Sequence, residues 1–287
     1  MLAIYKRELK SYCTGMIAPI FSVLLLVLVG IFTTATNLMG GYPTFEYVLA
    51  SVLIIYLIIM PLLSMRSFAE DLHTRTDQLL FSLPMKLSSV VLAKYMAMVS
   101  ILGFNCGIMC LYPLILSLYG SVNFAVTYAA ILAFFLLGCA LIAIGMFLSS
   151  LTESQVIAAV LSLGVFILLY LMGSLTTLIP VTAVSSLIGC FVLACAAALI
   201  LYYMTKNSVA SLGLAVAAVF GTTAAYLINS SLFVGLIQKI LLAVAIFDRF
   251  TNFTNGVVDL TALVYFLTVS ALFVFFTVQS MEKKRWL

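Results

Sequence analysis

Long apolar blocks without charged residues alternate with short polar segments along almost the whole chain. About 20 consecutive apolar residues cross the hydrocarbon core of a bilayer as an α-helix, whereas the strands of a membrane β-barrel alternate apolar and polar residues over short segments. The pattern therefore predicts an all-α integral membrane protein with about eight transmembrane helices. The predicted spans are 17–36, 47–65, 91–118, 126–149, 155–179, 183–204, 209–228 and 259–280.

Composition supports this prediction. Of the 287 residues, 65% are hydrophobic and only 8% are charged, against about 25% charged residues in soluble domains. No linker separates a soluble part, so we expect one transmembrane domain over residues 1–287. The first apolar block has a long core and no small-residue cleavage motif after it, so it is predicted to be a retained span rather than a signal peptide.

The distribution of Lys and Arg predicts the orientation, because short loops rich in these residues stay in the cytoplasm. With a cytoplasmic N-terminus and eight spans, the inner segments hold eleven of the thirteen basic residues. These are Lys6, Arg7, Lys10, Arg66, Arg75, Lys86, Lys94, Lys206, Lys283, Lys284 and Arg285. Both termini are therefore predicted to be cytoplasmic.

A ninth apolar stretch, 231–247, is interrupted by Gln238 and Lys239. Such residues are costly at the centre of a bilayer, and a ninth span would move the C-terminal basic cluster to the outer side. We therefore expect residues 231–249 to form an interfacial helix at the outer face.

The first fourteen residues have the pattern of a basic amphipathic helix. Leu2, Tyr5, Leu9 and Tyr12 recur at helical spacing, and most of the positions between them are charged or polar. Helices of this kind lie flat in the headgroup region. A disordered tail that anchors through a few charges is the alternative.

The inner loop 66–94 contains the densest charge in the chain. Apolar residues at roughly helical spacing run through it until Pro84, which makes further helix unlikely. A short amphipathic helix that docks into another protein's groove is one interpretation, and a solvated loop that anchors topology is the other. The candidate contact residues are Glu70, Asp71, Leu72, Arg75, Asp77, Leu79, Leu80 and Leu83.

The tight inner turn 149–155 is predicted to start the fifth span. Thr152 and Gln155 have the spacing of a capping box, and Glu153 supplies a negative charge near the helix N-terminus. Glu153 is either part of a structural cap or a contact for a partner.

Catalytic motifs are missing from the sequence. No Gly-Lys dipeptide occurs, so there is no Walker A loop, and the single histidine, His73, has no neighbouring ligands for zinc. Cys106 and Cys110 lie one helical turn apart, but with no further ligand nearby they are interpreted as small buried residues. We expect no enzyme activity, metal or cofactor in this chain.

The spans also lack charges at their centres, where ion-coupled transporters normally carry ionisable residues. Asn105 is the clearest deep polar residue, and it is as consistent with a bond to a neighbouring helix as with a substrate contact. Gly103, Gly107, Gly138 and Gly145 favour close helix packing.

Several segments, taken in order, resemble the permease subunits of bacterial type 2 ABC exporters, with the gliding-motility permeases as the nearest subfamily. The segments are 5–12 (YKRELKSY), 65–71 (MRSFAED), 78–84 (QLLFSLP), 149–155 (SSLTESQ), 247–250 (FDRF), 256–260 (GVVDL) and 282–286 (EKKRW). The hairpin 183–228 departs from the smaller members of that family, which have six spans.

The resemblance implies that two permease chains, as a homo- or heterodimer, form the pathway in a bacterial plasma membrane. Two separate ATPase subunits would bind ATP and magnesium. Residues 1–14 would be the elbow helix, residues 69–83 the coupling helix that receives ATPase motion, and Glu153 a further contact. An auxiliary subunit with an extracytoplasmic domain is possible in the gliding-motility type, and no nucleic acid is expected. The alternatives are an ion-coupled secondary transporter or channel, and a non-transporting scaffold or sensor subunit.

Overall fold

The computed structural model describes residues 1–76, 86–192, 213, 216, 219–223, 226 and 233–285. Within these residues every regular element is a helix. Six helices are long and apolar enough to cross a membrane: Ile17–Met39, Glu46–His73, Leu87–Leu116, Phe124–Leu151, Gln155–Leu178 and Leu260–Lys284. The chain is therefore a multi-pass α-helical protein, as the apolar pattern predicted.

The helices are numbered here in chain order. They are α1 (Leu2–Thr14), α2 (Ile17–Thr33, continued by a π-helix over Thr34–Met39), α3 (Glu46–Ser64), α4 (Arg66–His73), α5 (Leu87–Met109), α6 (Leu111–Leu116), α7 (Phe124–Leu151) and α8 (Gln155–Leu178). They continue with α9 (Ala183–Val192), α10 (Leu236–Val244), a 3₁₀ turn (Asp248–Phe250), α11 (Thr251–Thr254) and α12 (Leu260–Arg285).

Two of the eight predicted spans, 183–204 and 209–228, lie largely outside the described residues. Of the first, only the ten-residue helix α9 is described. The count of six therefore applies to the described part of the chain.

The chain divides into two compact units, residues 1–168 with 247–287 and residues 169–246. In the first unit α7 is the central helix, and α3, α4, α5 and α12 pack around it. The rings of Tyr56 on α3 and Phe134 on α7 lie 4.1 Å apart. A Cβ atom on Gly138 would lie 2.5 Å from Leu102 on α5, and one on Gly145 would overlap Ser64 on α3. Glycine at these positions lets α7 approach its neighbours closely.

The turn between α2 and α3 is closed by the side chain of Asn37. Its amide donates hydrogen bonds to the backbone carbonyls of Tyr42 (2.6 Å) and Thr44 (3.2 Å). Gly41 adopts φ +71° in the same turn, a conformation that glycine reaches without steric cost. These contacts hold the start of α3 beside the end of α2.

In the second unit, α10 is only nine residues long, or roughly 14 Å at 1.5 Å per residue. It starts after Gly235, which has φ +73°. The amide of Gln238 donates to the carbonyl of Ile179 at 2.9 Å, while the Lys239 side chain is exposed. The helix predicted over 231–249 is therefore shorter than expected, because the chain leaves helical geometry at Ala245.

Candidate coupling site

The amphipathic helix α1 packs along the start of α5. Ile4 is buried against Val90 and Ala93, and the hydroxyl groups of Tyr5 and Ser100 lie 2.9 Å apart. The N-terminal segment is thus a docked helix within the first unit and not a disordered tail.

The buried face of α1 differs from the predicted stripe of Leu2, Tyr5, Leu9 and Tyr12. Ile4, Glu8 and Tyr12 are the buried residues, whereas Tyr5 and Leu9 are half-buried and Leu2 is 67% exposed. Of the predicted four, only Tyr12 is buried. Helix α1 is rotated about its axis relative to the predicted orientation, because the charged residue Glu8 has its partner inside the protein.

That partner is Lys94, in the second turn of α5. Its Nζ lies 3.2 Å from Oε2 of Glu8 and 2.9 Å from Oδ2 of Asp71. Only 4% of the Lys94 side chain is exposed, and the two carboxylate side chains are 11% and 18% exposed. We call Glu8, Asp71 and Lys94 the ion triad. It connects three segments of the chain: α1, α4 and α5.

Two neighbouring side chains stabilise the charges of the ion triad. Arg7 pairs with Glu8 at 2.8 Å, and Lys94 Nζ lies 5.4 Å from the centre of the Phe68 ring, at a cation–π distance. Burial raises the pKa of Glu8, but the positive charges of Lys94 and Arg7 outweigh it, so this pKa lies below its ordinary value. Buried charges are tolerated when they are paired in this way.

Helix α4 continues the direction of α3 rather than forming part of a free loop. The backbone stays in the right-handed helical region at Met65, and the combined helix Glu46–His73 has 28 residues, or roughly 42 Å. A bilayer core is about 30 Å thick, which is less than the length of this helix. Helix therefore occupies both ends of the predicted segment 66–94, at residues 66–73 and from residue 87 onward.

Ser149, at the end of α7, forms three hydrogen bonds with the backbone at the start of α4. Its hydroxyl accepts hydrogen bonds from the backbone N–H groups of Phe68 (3.2 Å) and Ala69 (3.0 Å) and donates one to the carbonyl of Met65 (2.9 Å). Arg66 and Glu70 pair along the outer side of α4. A displacement of α4 would therefore act on α7 as well as on α1 and α5.

Helix α4 ends in a tight turn with Arg75 at φ +55°. The N–H of Thr76 bonds to the carbonyl of Asp71 at 3.0 Å, the long bond that is typical of a Schellman motif. The exposed tip of this turn consists of residues 73–76.

The predicted contact residues fall into three groups. Leu72 is buried within the first unit, and the partly exposed Asp71 pairs with Lys94. Arg75 and Glu153 are exposed, and Glu70 is partly exposed. Asp77, Leu79, Leu80 and Leu83 lie outside the described residues and remain predictions.

The turn before α8 lacks the predicted capping box. The hydroxyl of Thr152 has no hydrogen-bond partner among the described residues, and the turn 152–154 separates α7 from α8.

Asn105 on α5 donates to Ser22 on α2 at 2.9 Å and to the carbonyl of Ile101 at 2.8 Å. Of the two roles left open for it, the structure shows the bond to a neighbouring helix.

Glu8 and Lys94 are functional candidates that the sequence pattern missed. Glu8 was counted as part of the polar face of α1, and Lys94 as an anchoring charge of the loop. One signal was available, because Lys94 lies inside the predicted span 91–118, and a basic residue in an apolar span needs a partner. The partner itself could not be identified from sequence spacing.

A family model supplies the deciding comparison. The model described as "ABC-2 family transporter protein" matches residues 4–182, more than half of the chain. The chain belongs to this family. No curated protein matches the chain.

Membership in the ABC-2 family makes this chain a transmembrane permease of an ABC transporter. Permeases of this kind are membrane subunits that generally lack enzymatic activity and work with an ABC ATPase. The family match covers all three segments joined by the ion triad and ends at residue 182. The remainder of the chain, including α10 and α12, lies outside the match.

Proposed function

We propose that this permease is the membrane subunit of an ATP-driven exporter of the bacterial plasma membrane, and that it works as a dimer with separate ATPase subunits. ATP and magnesium bind to those subunits. Movement enters the permease through α4, the coupling helix of this proposal, and through α1, its elbow helix. The gliding-motility type, with an auxiliary extracytoplasmic subunit, is the subfamily that the sequence motifs favour.

The ion triad is the observation that supports this proposal most directly. It ties α1 and α4, which lie at the end of the bundle, to α5, which spans it. A force on α4 is therefore transmitted to three helices at once, because Ser149 also links α4 to α7. Packed helices that are joined in this way move as rigid bodies.

The order of the helices supports the proposal that both termini lie on the same side of the membrane. Helix α8 starts four residues after α7 ends, at the end of the bundle near α4. Residues 254–256, just before α12, lie at the opposite end with residues 43–47. If α8 crosses the bilayer, the chain between α8 and α12 must cross it an even number of times. The two predicted spans 183–204 and 209–228 meet this condition and give eight spans in total.

The exposed tip of α4 provides a direct test. Arg75→Glu reverses a charge at this tip without affecting the triad, and we expect the permease to retain less ATPase subunit on co-purification. Interface rim charges act mainly on association and are screened by salt, so the loss should be larger at low ionic strength. ATPase binding should be measured at two salt concentrations.

Lys283→Glu is the matched control, because Lys283 is an exposed basic residue at the end of α12 and lies on neither α4 nor α1. The membrane level of each variant is measured first, so that poor insertion is not mistaken for weak binding. If Arg75→Glu is well inserted and binds the ATPase as tightly as the wild type at low salt, α4 is not the contact.

A further inference from the structure

A polar cleft of about 460 Å³ opens at the end of the bundle remote from α1. Its walls come from three places in the chain: the start of α3, the turn before α7 and the turn after α11. A cleft of this size lies within the range of small-molecule sites. The ion triad lies at the other end, so the cleft is separate from the coupling site.

The floor of the cleft carries a buried acidic side chain. Glu46 is only 4% exposed and Thr127 only 1% exposed. The hydroxyl of Thr127 donates to Oε1 of Glu46 at 2.5 Å. Among the described residues no hydrogen bond reaches the second carboxyl oxygen, Oε2, and this oxygen is not one of their fully enclosed unpaired atoms, so solvent can reach it. No Lys, Arg or His lines the cleft.

This carboxylate lacks sufficient compensation within the protein. Burying an ionised carboxylate without a cation is costly. Glu46 lies in the first turn of α3, where the helix dipole supplies the equivalent of roughly half a positive charge. No cationic side chain that could supply a full countercharge lines the cleft, whereas each charge of the ion triad, at the other end of the bundle, is paired.

The walls of the cleft supply neutral oxygen atoms. Thr44, Ser121, Asn123 and Asn255 line the cleft with exposed hydroxyl or amide groups. Such groups accept hydrogen bonds from an N–H donor. A divalent metal ion usually needs several carboxylates among six to eight oxygen ligands, and Glu46 is the only acidic residue that lines this cleft.

We propose that this cleft binds an organic ammonium group, which donates to Glu46 Oε2 and to the oxygens of the walls. One positive charge matches the one carboxylate. A soluble amine and the ethanolamine headgroup of a lipid both carry this group. The site is independent of the coupling proposal, because it requires neither an ATPase subunit nor movement of α4.

The test uses the full-length protein in phosphatidylcholine nanodiscs and titrates it with n-butylammonium, with n-butanol as the neutral analogue of the same shape. We expect saturable binding of the ammonium and none of the alcohol. Glu46→Gln keeps the side-chain size and should weaken binding by about tenfold or more, the loss expected for a hydrogen bond to a charged group. Asp259→Asn, at the same end of the bundle but outside the cleft lining, should bind as the wild type does.

A second measurement does not depend on the folding of a variant. Carbodiimide labelling of Glu46 in the wild type, read by mass spectrometry, should decrease in the presence of N,N-dimethylbutylammonium, a tertiary ammonium that cannot form an amide with the activated carboxyl, but not in the presence of n-butanol. Nanodiscs that contain phosphatidylethanolamine distinguish the two sources: competition by this lipid assigns the site to a headgroup, and no competition assigns it to a soluble amine. Equal binding by wild type and Glu46→Gln, or labelling that the tertiary ammonium leaves unchanged, would overturn the proposal.

Discussion

At the scale of single residues, Lys94 is the position on which most of the proposed coupling site depends. Its ammonium is shared by two carboxylates from distant segments and is almost fully buried. Replacing a complete buried ion cluster with apolar groups can be neutral, but removing one member leaves charges that have neither water nor a partner.

The first prediction follows from this difference between replacing the whole ion cluster and removing one of its members. Lys94→Met retains the apolar stem but leaves Asp71 without its cation and Glu8 with Arg7 alone, so we expect a loss of about 3–5 kcal/mol in stability. Thermal unfolding of the detergent-purified protein, followed by circular dichroism, should show a lower midpoint. Lys10→Met, which removes an exposed charge from α1, should unfold as the wild type does. The triple change Lys94→Met, Glu8→Gln and Asp71→Asn should recover much of the loss; no recovery would mean that the lysine acts through packing alone.

The second prediction concerns pH. Because the pKa of Glu8 is lower in the folded protein than its ordinary value of 4.5, its pairing contributes stability that is complete above that value. This contribution disappears as the pH falls through the folded pKa. Acid unfolding curves of the wild type and Glu8→Gln should therefore lie apart near neutral pH and converge below pH 4.5. Curves that stay equally far apart throughout would exclude this linkage.

At the scale of elements, α7 determines how closely the helices of the first unit pack. Its glycines at 138 and 145 face α3 and α5, and the space for a Cβ atom there is already occupied. Gly103 and Gly107 form a second glycine pair, on α5, yet the nearest atom to a Cβ on Gly103 would be 3.5 Å away and Gly107 has open space. The close packing therefore involves only one of the two glycine pairs.

The third prediction compares two glycines in helices. Gly145→Ala forces its methyl group into Ser64, and we expect destabilisation of about 1–3 kcal/mol. Gly164→Ala on α8 has nothing within 4 Å, so it should be neutral or stabilise by up to about 1 kcal/mol through helix propensity. Unfolding midpoints of the two variants measure the difference. Equal effects would show that α7 can move away from α3 without cost.

At the scale of the whole chain, the basic residues predict the topology. In the proposed arrangement α1 and the C-terminus lie in the cytoplasm and α10 lies at the outer face. Lys239 on α10 is exposed, and a lysine at the bilayer centre would be costly. Gln238 is half-buried and bonded to Ile179, so it should be less accessible than its neighbour.

The fourth prediction tests this topology in a cysteine-free background. Lys239→Cys should react quickly with an impermeant thiol reagent added from outside, and Gln238→Cys more slowly. Lys10→Cys should react only after the membrane is opened, and a reporter fused after Leu287 should give a cytoplasmic signal. An outside signal from that fusion, or protection of position 239 from outside with labelling from the cytoplasm, would contradict the proposed arrangement.

The sequence by itself determined where most of the long helices lie. The span predicted over 126–149 is the helix Phe124–Leu151, and the span over 155–179 is the helix Gln155–Leu178. These predictions succeed because a run of apolar residues is a local property that is read directly from consecutive positions. The helical nature of residues 2–14 followed in the same way from their periodicity.

Only the tertiary structure decided which sides of the helices meet. Two rows of residues on α1 have helical spacing: the predicted apolar row, and the row that is buried in the structure. The buried row contains the charged residue Glu8, so a search for apolar residues alone does not select it. Its selection depends on Lys94, 86 positions away in the chain. The pairing of Glu46 with Thr127 is equally remote in sequence. Such contacts depend on the rotation and register of helices packed together, and those are set by the fit of side chains across the whole bundle rather than by any local pattern.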